Sequence, residues 1–150
     1  MPNHSETRFV PYTAQLMYEI VSDVERYPQF VPWCAGLRVD SREKTSTGEE
    51  LIAETIVGFR NFRERYTSRV TLDPANYKVD VVQTEGVFRK LENHWHFVPD
   101  GEGCQVEFSI VFEFKSKVLA LIAEAALSRV MTRMTQAFEA RAQKLSKQAV

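Results

Sequence analysis

The chain has 150 residues, room for one domain and little more, and a domain of this size buries about 68–70% of its unfolded surface. Hydrophobic residues make up 44%, aromatics 11%, and ten are Phe, which places the chain among globular rather than disordered proteins. A net charge of −1 argues against general nucleic-acid affinity, so no DNA partner is expected, and only a local basic patch leaves an RNA contact open.

Glu6–Val10 reads as a short strand stopped by Pro11. Thr13 can cap a helix with apolar positions Leu16, Met17, Ile20, Val21 and Val24. That helix must fail at Tyr27-Pro28, because a residue before proline avoids the α region. A second short helical turn is expected in the next segment, where Pro28 and Pro32 bracket Phe30 and Val31 and Trp33 follows. Those large side chains form either a lid packed on one end of the core or the rim of a pocket. From Gly36 onward, strands follow one another with turn residues between them. They are Leu37–Lys44, Glu50–Val57, Phe62–Leu72, Tyr77–Thr84, Phe88–Val98 and Cys104–Phe114. The last alternates most cleanly, with Val106, Phe108, Ile110, Phe112 and Phe114 on one side. Short connections predict antiparallel hairpins with one wet face.

Ser116–Lys147 closes the chain with good helix formers and no Gly or Pro. Leu119, Ile122, Ala126, Val130, Met134, Phe138, Ala142 and Leu145 recur at helical spacing. Its first half is rich in alanine, and leucines spread around more of its circumference. The fold class is therefore α+β, in the order β-α-α-β6-α: a seven-stranded antiparallel sheet curved around a long C-terminal helix.

This order resembles the START-like, or Bet v 1-like, helix-grip superfamily. The run Asp23-Val24-Glu25-Arg26-Tyr27-Pro28-Gln29-Phe30-Val31-Pro32-Trp33-Cys34 is similar to the hallmark of one branch, as is the opening Arg8-Phe9-Val10-Pro11-Tyr12-Thr13-Ala14. That branch holds the coenzyme Q-binding START-domain proteins and the bacterial ribosome-association toxins, which share the motif. The resemblance implies a single START-like lipid-binding domain over residues 1–150, with ubiquinone or a similar polyprenyl quinone as bound ligand and no other cofactor. It equally admits a protein that binds the large ribosomal subunit and blocks subunit joining. A cyclase or aromatase activity is the third reading. The opening residues carry neither a signal peptide nor a transit segment, and no apolar run approaches 18 residues. The expectation is a bacterial member, cytoplasmic or peripheral on the inner membrane.

A hollow sheet closed by a helix makes an apolar cavity. Its expected wall takes Val70, Leu72, Leu91 and Trp95 from the sheet, with Phe97, Phe108, Ile110 and Phe112. Leu121, Ala125, Met131 and Met134 are expected from the terminal helix, and Phe30, Val31 and Trp33 at the mouth. The competing reading is a core whose side chains meet in the middle. Asn93 is the polar residue that alternation turns inward on its strand, and it is no general base. No catalytic residues are assigned. Glu92, His94 and His96 share a strand face with metal-ligand chemistry, but on the solvent side, so no metal is expected. Cys34 and Cys104 share no metal-type spacing and read as reduced thiols, with a single bridge between them as the open alternative. Arg60, Arg63, Arg65 and Arg69 form a basic patch, with Arg63, Arg65 and Arg69 alternating onto one face. It suits pairing with acids such as Glu54 or Asp80, an anionic membrane, or ribosomal RNA.

Overall fold

In a computed structural model, which describes residues 3–59 and 62–148, the chain folds as a seven-stranded antiparallel sheet wrapped on a long terminal helix. The elements are β1 (Asn3–Val10), α1 (Ala14–Ser22), a 3-10 turn (Val24–Gln29), β2 (Cys34–Lys44), β3 (Glu49–Phe59), β4 (Phe62–Asp73), β5 (Lys78–Gly86), β6 (Phe88–Asp100), β7 (Gly103–Phe114) and α2 (Lys117–Gln148). The sheet order is β1-β7-β6-β5-β4-β3-β2. Consecutive strands from β2 onward are hairpin neighbours, while β1 pairs with β7 at the far edge. The α1 segment and the 3-10 turn carry the chain across between those edges.

Local chemistry accounts for the element ends. Thr13 caps α1, its side-chain oxygen accepting from the Leu16 N–H at 3.1 Å. Helix α1 ends at Ser22, short of the expected Val24, because Asp23 leaves the helical region (φ −85°, ψ 68°). The second helical turn comes earlier than the sequence suggests, with Pro28 inside it. Strand β1 starts at Asn3 rather than Glu6, because every residue from Asn3 to Val10 finds a partner along β7. Ser116 caps α2 through the Leu119 N–H at 3.3 Å. Gly86 is required where it stands: φ is 141°, and a Cβ there would meet the Tyr66 Cα at 2.5 Å.

Register shifts interrupt β2 at Cys34/Gly36 and Val39/Ser41, β5 at Thr84, opposite Thr67/Ser68, and β6 at Phe88/Lys90. Such bulges bend strands and sharpen their twist, which lets the sheet curl around a helix. The α2 stripe read from the sequence is the one that faces the sheet: Ala126, Met134, Phe138 and Ala142 are all buried. The C-terminal half of α2 packs densely, with Phe138 set edge-on against Tyr27, Phe30 and Trp95. The N-terminal half stands off the sheet.

Candidate functional site: a two-chamber cavity under the terminal helix

The gap beneath the first half of α2 is an outer chamber of about 160 Å³. Its sheet walls include Leu91, Ile110 and Phe112, and its helix walls include Leu119, Ile122, Ala126 and Met131. Deeper lies an inner chamber of about 70 Å³. Trp33, Tyr66, Leu91, Ile110 and Met134 wall both chambers, so the two abut across those side chains. The hollow has an origin in side-chain size. Ala53 on β3 lies directly opposite Ser68 on β4, between the bulkier pairs Leu51–Val70 and Thr55–Tyr66. Two small residues at one cross-strand position leave space that a close-packed interior would fill.

The inner chamber is more polar than its neighbour. Thr55 and Ser68 are each 2% exposed, and Tyr66 stands directly across from Thr55, whose side chain neighbours its hydroxyl. Asn93 is held on both sides: its Nδ2 donates to the Ser109 carbonyl at 3.0 Å, and its Oδ1 accepts from Trp95 Nε1 at 2.9 Å. Tyr27 donates its hydroxyl to the Val21 carbonyl, fixing the 3-10 turn over this end. Burial, foremost, keeps the Tyr27 and Tyr66 hydroxyls protonated far above the usual tyrosine range. Among the described residues, no cation lines either chamber, and the one carboxylate is Glu64, at the outer chamber.

Of the residues expected at the cavity from sequence, Trp33, Leu91, Ile110, Phe112, Met131 and Met134 line the outer chamber. Val70, Trp95 and Phe108 line the inner one. Phe97, fully buried, and Leu72 belong instead to the solid core. Leu121 is 69% exposed, and Ala125 is exposed as well. Both fall outside the cavity because each residue turns a helix by about 100°, and the Leu119–Ile122–Ala126 stripe puts 121 and 125 on the far side. At the mouth only Trp33 fits. Val31 is buried core, and Phe30 stacks edge-on against Tyr27 and Phe138 beneath the Arg141 guanidinium. Sequence reasoning missed Glu64, Tyr66 and Ser68, although their signal was present. If Arg63, Arg65 and Arg69 face out, the even-numbered residues of β4 face in.

Arg63, Arg65 and Arg69 do share the outer face. Arg65 pairs across the strands with Glu54 at 3.2 Å and Arg69 with Glu50 at 3.5 Å. Arg60 lies outside the described residues. The two outward histidines have separate partners, His94 with Asp80 and His96 with Glu107 at 3.0 Å, so no shared cluster with Glu92 forms. Cys34 and Cys104 are free and buried, and burial pushes each thiol up to about 11. A thiol so raised stays protonated near neutrality and is a poor nucleophile. No helix among the described residues is long and apolar enough to cross a membrane.

The family model for polyketide cyclase/dehydrase and lipid transport proteins matches residues 10–139. The chain belongs to that family. Within it, the chain is 35% identical to the ribosome association toxin RatA of Escherichia coli, over 97% of this chain and 89% of that protein. It is 36% identical to the mitochondrial coenzyme Q-binding protein COQ10 homolog B of Xenopus laevis, over 93% of this chain and 57% of that longer protein. Among solved structures it matches an 18 kDa protein of Caulobacter crescentus at 38% identity and a TM-score of 0.83, covering 98% of this chain and 99% of that one. This family member thus has relatives named for a ribosome contact and relatives named for a quinone.

Proposed function

We propose that the protein is a non-enzymatic carrier for ubiquinone or a similar polyprenyl quinone, supporting quinone biosynthesis and respiratory electron transfer. The observation that carries this reading is the lined hollow under α2, apolar on the outside and lacking any cation among the described residues. Water rejects a prenyl tail strongly, since each buried CH₂ is worth about 0.8 kcal/mol. A dry chamber therefore holds the molecule without chemistry. Both cysteines are buried and protonated, and Glu64 is the one carboxylate beside the ligand space; with no His, Lys or Arg there among the described residues, the chambers hold no carboxylate–base pair for acid–base catalysis. The chambers are smaller than the 300–1,000 Å³ usual for ligand sites, so a long tail extends out of the mouth.

Loading from a bilayer follows. Val118 and Leu121 are 61% and 69% exposed, next to the chamber-lining Leu119 and Ile122 and flanked by exposed Lys115 and Lys117. An apolar step with two cations suits an anionic membrane surface better than the arginine row, where Arg65 and Arg69 already face acids.

The likeness to the ribosome association toxin favours one other reading, in which the protein binds the large ribosomal subunit through its outer face. Native mass spectrometry of protein purified from its own cytoplasm and membranes tests the choice. The carrier reading expects a co-purifying quinone that organic extraction releases. A protein free of lipid that co-sediments with ribosomes supports the alternative.

A further inference from the structure

The Ser68 hydroxyl is buried to 2% exposure, faces the inner chamber, and has no hydrogen-bond partner among the described residues. A hydroxyl so placed is costly unless something in the chamber pairs with it. Beside it stands the Tyr66–Thr55 hydroxyl pair. Two neighbouring hydroxyls bring two O–H hydrogens, and even a mutual bond between them would leave one to donate elsewhere. The inner chamber thus offers two O–H donors within an apolar surround, and burial keeps the phenol protonated. No lysine, arginine or histidine among the described residues is present to neutralise an anion, and Glu64 stands at the outer chamber. A fatty acid or phosphate headgroup would therefore enter uncompensated.

Resting on the carrier reading, we infer that the ligand enters ring-first: the inner chamber holds a neutral, oxygen-bearing ring whose carbonyl accepts from Ser68 and from the Tyr66–Thr55 pair, while the tail lies in the outer chamber. The ligand class is then a neutral prenylated quinone or closely similar ring ketone, and anionic lipids are rejected. The slim Ala53 opposite Ser68 gives the ring its space, and the doubly tied Asn93 keeps the chamber floor from rearranging. The outer walls, from Leu119 to Met131, meet only hydrocarbon.

The test measures displacement of an apolar fluorescent dye from the full chain by short-chain ubiquinone, by squalene and by palmitate. It compares the parent, Ser68→Ala and Ser68→Ala/Tyr66→Phe. Loss of a neutral hydrogen bond should weaken the quinone roughly three- to tenfold in the single variant and further in the double. Squalene should change less than about twofold, since it makes no hydrogen bonds, and palmitate should displace dye from none. Ser68→Ala should melt no lower than the parent, because removing an unpaired buried hydroxyl relieves a cost. If Ser68→Ala does not fold, Tyr66→Phe, which keeps the ring and removes one oxygen, is read in its place. A parent that binds quinone and variants that bind it equally well would overturn the ring-first orientation and leave the carrier reading standing. A parent from which no quinone displaces dye would overturn the carrier reading itself.

Discussion

Ala126→Leu puts the cavity to a test of sign. Ala126 is 8% exposed and lines the outer chamber. Leucine adds three carbons over alanine. Placed in existing space, they recover about 2 kcal/mol at 0.8 kcal/mol per CH₂, and that raises the melting temperature by roughly 4–8 °C in a domain of this length. The same carbons occupy the volume meant for the tail, so quinone binding should fall by more than tenfold. Thermal melts and a tryptophan-fluorescence titration with short-chain ubiquinone read both effects, since Trp33 and Trp95 stand in the chamber walls. If the helix instead closed on the sheet in solution, the added carbons would overpack and cost about 1–3 kcal/mol. A melting temperature lowered by that amount refutes the chamber.

Ala125→Leu should leave both melting temperature and quinone affinity within error of the parent, because Ala125 faces outward; lost binding would mean that α2 is rotated. Trp33→Ala should weaken quinone binding while the fold survives, since Trp33 is half-buried and walls both chambers, and cooperative melting in circular dichroism checks the second clause. Stability should fall as pH rises from 9 to 11, because the unfolded chain releases the Cys34 and Cys104 protons near 9 and the folded one holds them to about 11. The unfolded state binds fewer protons across that window, so the slope is negative, and it should flatten in Cys34→Ala/Cys104→Ala melts.

Period-2 alternation from β2 to β7, the turn residues and the α2 stripe made the architecture legible in the sequence, because one face of each element must meet the core. The strand order needed one thing more, the return of β1 to β7, which no local pattern encodes. The site was legible in part. Leu91, Ile110 and Phe112 were found because they alternate inward. Leu121 and Ala125 lie outside the site because alanine content carries no direction, whereas the helical phase of Leu119, Ile122 and Ala126 turns both away from the sheet. Phe30 and Val31 look like a lid between two prolines, but Phe138 draws Phe30 inward and Val31 joins the core. The hollow itself depends on Ala53 meeting Ser68, a matter of the register between β3 and β4, and which residues meet across two strands is not visible in composition.

The carrier reading is tested most directly by equilibrium titration of the purified protein with a short-chain ubiquinone, following tryptophan emission from Trp33 and Trp95. It predicts saturable quenching at one quinone per chain, lost in Ala126→Leu and retained in Ala125→Leu. Quenching that rises linearly without saturation, and is the same in both variants, would contradict it.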